Sequence, residues 1–266
     1  MKIIVKIILL FYAPTIFAQQ NFTLLKKAGE KQSEISSEIH NNRGGCLGKN
    51  TRVSSPVREG KYAYKHELQH CANRAEVHMQ KTKIGETYWQ RWSMYVPKNY
   101  VNRSSGAHIF AQWAAYPKQK TTQLPCQGIG HYLALDRKTQ KLMYVVQASS
   151  HKNGQGGGFC KQFPLQPLNA MTKGKWLDFV QYAKWTGQSD GFIQLWLRVE
   201  GGAYKKVMDY HGPTWWDDEG DGPYFKMGLY KGMDNWVGGG RRSAVIYTDF
   251  YELYHGKNIN FKQIFK

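Results

Sequence analysis

Three short segments of this 266-residue chain carry side chains capable of chemistry at the spacing of a strand. In Tyr224-Phe225-Lys226-Met227-Gly228-Leu229-Tyr230, strand alternation puts Tyr224, Lys226, Gly228 and Tyr230 on one face and Phe225, Met227 and Leu229 on the other. The first face carries an ammonium and two phenols, and Gly228 leaves room for another group to approach the backbone between them. In Arg74-Ala75-Glu76-Val77-His78, the same alternation gathers Arg74, Glu76 and His78. In His108-Ile109-Phe110-Ala111-Gln112-Trp113, it aims His108 and Gln112 at one face. A guanidinium fork fits a carboxylate, an amide donates to an oxygen gaining charge, and a phenol can move a proton.

The three segments resemble the signature strands of the jelly-roll polysaccharide lyases. In the alginate-lyase branch these read Arg-Ser/Thr-Glu-Leu, Gln-Ile/Val-His and Tyr-Phe-Lys-x-Gly-x-Tyr. The wider sequence, from about Val53 to Leu253, is more similar to the heparin-lyase and glucuronan-lyase branch. That likeness runs through Gly60-Lys61-Tyr62-Ala63, Tyr88-Trp89-Gln90-Arg91-Trp92, Gly174-Lys175-Trp176-Leu177-Asp178 and Tyr247-Thr248-Asp249-Phe250.

The resemblance implies β-elimination on a uronate polymer. The proton at C5 leaves, the glycosidic oxygen at C4 departs, and the neighbouring carboxylate must be neutralised meanwhile. It assigns the catalytic tyrosine to Tyr230 and implies catalytic roles for Lys226, Arg74 and Gln112. Arg74 and Lys226 are expected to favour the phenolate of Tyr230. Tyr224 supports the site, and Glu76 orients Arg74. Where the alginate-lyase pattern has a histidine two residues after glutamine, this chain has Ala114, so His108 or His131 is the candidate imidazole, supplied from elsewhere to the groove. Trp216, beside an acidic turn, is a candidate for stacking on sugar. No cofactor and no metal enter this scheme.

These residues need a scaffold of strands. Short runs rich in Tyr, Trp, Val and Ile, separated by Gly, Pro, Asn and Asp, predict strands at 62–66, 75–79, 88–95, 108–113, 131–136, 142–147, 176–184, 192–199, 206–210, 225–230 and 244–254. The expected fold is all-β, a jelly-roll sandwich of two curved antiparallel sheets with a concave polysaccharide-binding groove. The glycine-rich run at 151–158 reads either as a lid over that groove or as a plain flexible connection, with the lid slightly favoured.

Lys2 and Lys6 before the apolar run 7–17, with Ala18 following, have the layout of a secretory signal peptide at 1–18. That run is too short for a comfortable membrane span, and no later run is longer, so no integral span is expected once it is removed. Residues 19–50 read as an arm or linker and 51–266 as one catalytic domain, taken as a monomer. Four cysteines in an exported chain allow two disulfides; chain order favours Cys46 with Cys71 and Cys126 with Cys160. No zinc-type spacing occurs.

A formal charge of +18 favours polyanionic partners. No nucleic-acid-binding motif accompanies it, which leaves an acidic polysaccharide as the expected partner. A glycoside hydrolase on this scaffold would need two carboxylates flanking the bond, commonly spaced Glu-x-Asp-x-x-Glu, and that spacing is absent. What the resemblance implies is a lyase of uronate polymers, glucuronan-like or heparin-like. A glycan-binding relative without activity is the alternative.

Overall fold

The computed structural model describes residues 23–28, 36–41, 48–69, 72–100, 108–114, 130–136, 138–148, 159–167, 172–216, 221–231, 243–256 and 261. Their strands are β1 (Thr23–Ala28), β2 (Ser36–Asn41), β3 (Gly48–Val53), β4 (Ala63–Leu68), β5 (Ala72–Lys83), β6 (Thr87–Tyr95), β7 (His108–Ala114) and β8 (Gly130–Leu135). They continue with β9 (Lys141–Ala148), β10 (Phe159–Pro167), β11 (Trp176–Lys184), β12 (Phe192–Val199), β13 (Lys205–His211), β14 (Asp221–Tyr230) and β15 (Ala244–His255).

Two antiparallel sheets result. One has the order β13-β12-β11-β6-β15-β4-β3, with β1 added on β15. The other runs β10-β9-β8-β7-β14-β5-β2. In each sheet a late strand is inserted between two early ones: β14 lies between β7 and β5, and β15 between β6 and β4. This crossing of the chain between layers is the jelly-roll pattern.

Aromatic rings fill the space between the layers. Trp92 stacks on Phe179 at 5.0 Å and Phe225 on Tyr251 at 5.3 Å, while Trp113 meets both Trp92 and Phe225. Two of the polar edges are answered within the core: Trp113 Nε1 donates to Gln90 Oε1 at 3.0 Å, and the Tyr144 hydroxyl to Gln181 Oε1 at 3.0 Å. Indole and phenol groups lose little on burial when so paired.

Every strand expected from the pattern is present, and four more join them. The stretch expected as an arm, 19–50, contributes β1, β2 and the start of β3, each paired edge to edge with a strand of the sandwich. Few apolar residues are required there, because backbone hydrogen bonds hold an added strand at a sheet margin. β10 pairs with β9 through a register break between Pro164 and Pro167, where proline interrupts the ladder. The expected signal peptide, the glycine-rich run 151–158, the acidic residues 217–220, and Cys46, Cys71 and Cys126 lie outside the described residues.

Candidate active site

β14 follows the alternation read from its sequence. Phe225, Met227 and Leu229 enter the inter-sheet core, and Tyr224, Lys226 and Tyr230 belong to the opposite face of the seven-stranded sheet. On β5 the core takes Ala72, Ala75, Val77 and Met79, which leaves Arg74, Glu76 and His78 on that same opposite face. Pairing then sets the rows. Tyr230 is opposite Arg74, Gly228 opposite Glu76, and Lys226 opposite His78. On its other side Lys226 is opposite Gln112 of β7, and Gln112 in turn is opposite Tyr132 of β8. One row across four adjacent strands thus reads His78, Lys226, Gln112, Tyr132.

Glu76 organises this face. Its side chain is fully buried; Oε2 lies 2.9 Å from Arg74 Nε, and Oε1 accepts from Gln112 Nε2 at 2.5 Å. Glu76 and Gln112 sit on strands separated by β14, so the contact between them spans that strand on the site face. The room expected at Gly228 is taken by the chain itself, by the backbone of β5 and by His66 from the core side. A Cβ at this residue, whose φ is +143°, would lie 2.3 Å from the Ala75 carbonyl oxygen and 2.9 Å from His66 Nδ1. Only glycine fits without displacement.

Arg74 leans on Tyr230, its guanidinium carbon 4.5 Å from the ring centroid. Its side chain keeps 14% exposure and Tyr230 is half-buried, so this pair meets the open side of the sheet. Lys226 is only 1% exposed, with its ammonium 5.2 Å from the Tyr224 ring; it contributes charge from beneath the surface. His78 meets Tyr224 edge-on at 6.0 Å. Burial raises the pKa of Tyr132.

Arg74, Glu76, Gln112, Lys226, Tyr224 and Tyr230 are brought together as expected, but His108, His131 and Trp216 are not among them. A register break in β7 between Ile109 and Ala111 sends both Phe110 and Ala111 to the core, which reverses the parity expected between His108 and Gln112. His108 is buried with its Nδ1 on the Tyr100 hydroxyl, and burial, aided by the Lys231 charge, pushes its pKa down to about 3. His131 shares the parity of the core residues Leu133 and Leu135 and is enclosed by the rings of Tyr144, Trp185 and Trp215; burial brings it to about 3 as well. Trp216 stacks on Trp215 at 4.1 Å inside the same core, only 2% exposed, so it offers no face to a sugar.

Two residues join the face without having been assigned to it. His78 was visible in the alternation of its own segment. Tyr132 was marked by its parity opposite Leu133. Since Ala114 is paired with Tyr224 on one side of β14, and His78 approaches that tyrosine from the other, the face has an imidazole supplied by a different strand. Among the described residues no cluster of His, Cys, Asp and Glu suited to a metal occurs.

Residues 25–252 match the family described as polysaccharide lyase. Among solved structures, an endo-β-1,4-glucuronan lyase from the fungus Trichoderma reesei is similar with a TM-score of 0.65 at 16% identity, covering 87% of this chain and 95% of that one. An alginate lyase from Aplysia kurodai gives 0.47 at 10% identity, covering 77% and 86%, and one from a Chlorella virus gives 0.47 at 11%, covering 78% and 89%. No curated protein matches.

Proposed function

From the premise that the chain belongs to the polysaccharide lyase family, we propose that it cleaves a polymer of glucuronate type, glucuronan-like or heparin-like, by β-elimination at the face formed by β5, β14, β7 and β8. The observation that carries this reading is the joint hold of Glu76 on Arg74 and Gln112, which aims a cation and an amide donor at one place beside Tyr230.

Arg74 engages the substrate carboxylate through the guanidinium edge that Glu76 does not occupy. Gln112 spends one N–H on Glu76 and gives its second to the oxygen that gains charge as C5 loses its proton. Preorganised donors of this kind contribute about 3 kcal/mol each to transition-state stabilisation. The buried ammonium of Lys226 adds positive potential to the developing dianion. Tyr230 takes the C5 proton and returns one to the C4 bridging oxygen, which leaves with the bonding pair while the C4–C5 double bond forms. His78, beside Lys226 and Tyr224, is the imidazole available to neutralise or relay charge.

Support for glucuronate comes from the sequence motifs shared with the heparin-lyase and glucuronan-lyase branch, alongside the glucuronan lyase of the same fold. Export through a signal peptide at 1–18 is part of the proposal and fits a disulfide-bonded Cys160, for which Cys126 is the partner we favour. A monomer acting on soluble polymer completes it.

The test is ultraviolet absorbance of unsaturated products from glucuronan, heparin, heparan sulfate, hyaluronan and alginate, with Tyr230→Phe in parallel. The proposal expects absorbance to rise on a glucuronate-bearing polymer and turnover in the variant to fall by about 10²-fold or more with binding retained. A rise on alginate alone would overturn the substrate class, and undiminished turnover in Tyr230→Phe would overturn the role of Tyr230.

A further inference from the structure

Behind the site face, a hydrogen-bonded chain crosses from the opposite sheet and ends on the backbone of Glu76. His66 of β4 is fully buried beneath Gly228. Its Nε2 is 2.7 Å from Thr248 Oγ1 of β15, and its Nδ1 is 2.8 Å from Asn50 Oδ1 of β3. Asn50 Nδ2 donates onward to the Glu76 carbonyl at 2.7 Å. The last contact sets every direction in the chain. A carbonyl oxygen only accepts, so Asn50 presents its NH2 to Glu76 and its oxygen to the imidazole. His66 must then carry its proton on Nδ1, and its bare Nε2 accepts from the Thr248 hydroxyl. Burial brings the pKa of His66 to about 3, against a backbone contact with Ala75 that raises it, so the ring is neutral at neutral pH.

We propose that Thr248, His66 and Asn50 are positioning residues for the elimination, acting through Glu76; the inference rests on the lyase reading given above. The physical case is one of leverage. Glu76 holds the Arg74 guanidinium and the Gln112 amide with its two oxygens, so a displacement of its backbone moves both groups together. Its neighbour on β14 is Gly228, which has no side chain with which to brace it, and its neighbour on the other side belongs to the edge strand β2. The brace comes from below, from strands of the other layer, through a polar chain in which each donor meets an acceptor. None of the three residues lies on the site face: Asn50, His66 and Thr248 belong to the eight-stranded sheet. A misplacement of about 1 Å in a catalytic group is enough to cost on the order of 10²-fold in rate.

The experiment is a double-mutant cycle read in kcat and KM. Asn50→Ala removes the link to Glu76 at a half-buried position, and Thr248→Val removes the donor to His66 while keeping its shape; both are made in the wild-type chain and in Glu76→Gln. The expectation is that Asn50→Ala lowers kcat by about 10- to 10²-fold, with KM within roughly threefold, and that Thr248→Val lowers kcat less but in the same direction. In the Glu76→Gln background, Asn50→Ala is expected to add less than about a twofold loss, because the carboxylate it served has gone. An equal fold-loss in both backgrounds would assign Asn50 to general stability and overturn the proposal, as would an unchanged kcat in Asn50→Ala. No unsaturated product from the wild-type chain on any polymer would defeat the lyase reading itself, whereas an active wild type with an unaffected Asn50→Ala defeats the positioning role alone.

Discussion

Replacing Gly228 by alanine tests the central geometric claim about the site. The new methyl would stand 2.3 Å from the Ala75 carbonyl oxygen and 2.7 Å from Glu76 Cα, both backbone atoms of β5. Ordinary contact begins near 3.4 Å, so β5 must retreat by roughly 1 Å. A non-glycine residue at φ +143° costs about 1–3 kcal/mol, and overpacking against backbone a further 1–3 kcal/mol. Taking about 4 kcal/mol in all, a domain of this size should lose on the order of 8–16 °C in Tm. Because the strand that yields carries Arg74 and Glu76, turnover at a temperature where the variant is folded should fall by about 10²-fold. Differential scanning calorimetry and initial rates measure the two effects. Gly201→Ala is the control: its φ is also positive, at +76°, yet nothing lies within 4 Å of the added methyl. It should lose only about 1–2 kcal/mol and keep its turnover. A Gly228→Ala enzyme that melts with Gly201→Ala and turns over normally would refute the account of how this face is packed.

Two further outcomes are expected. Glu76→Gln keeps the shape but leaves Arg74 without its buried counter-charge and sets an amide against Gln112; kcat should drop by about 10²-fold and stability by about 3 kcal/mol, checked by initial rates and urea melts. Acid should destabilise the fold early. His66, His108 and His131 are brought by burial to about 3, below the ordinary 6.5, so the unfolded chain binds their protons first. Their stabilisation is complete above about pH 6.5 and is lost as pH falls towards 3. Asp249, raised by burial to about 6, works the other way and offsets one proton, which leaves a net loss of roughly 3 kcal/mol per pH unit between pH 6 and 4. Urea midpoints across that range measure the slope. His131→Phe should flatten it, and a midpoint independent of pH would contradict the neutral state of these imidazoles.

The sandwich was legible in sequence because its inner strands bury alternate large residues, as in β14 and β11. The margin was not: β1, β2 and β3 are held by backbone pairing, which leaves little trace in side-chain type. Within the site, Arg74, Glu76, Gln112, Lys226 and Tyr230 were legible because each sits on a strand whose own core-facing neighbours declare its parity. His108 was lost to a register break, an event of backbone spacing that the residue types around Ile109 do not announce. His131 was misassigned although Leu133 and Leu135 marked its face as the inner one. Trp216 shows the ambiguity of a large ring beside an acidic turn, since stacking on sugar and stacking on Trp215 ask the same of an indole.

The placement of β14 and β15 in the middle of their sheets has a bearing on how the molecule comes into being. Until residues 221–255 are available, β5 and β7 have no strand between them, nor have β4 and β6. A nascent chain that has made everything up to Gly220 holds both sheets split in two, four part-sheets with newly bare margins at β4, β5, β6 and β7, and such margins are the part of a β protein that recruits foreign strands. Closure of such long-range pairs is slow. Truncation before residue 221 should therefore yield aggregate rather than a smaller domain. The same ordering means that the site cannot exist in a partly built molecule: β14 brings Lys226 and Tyr230 at the step that closes the seven-stranded sheet, so competence to cut polymer and completion of that sheet arrive together.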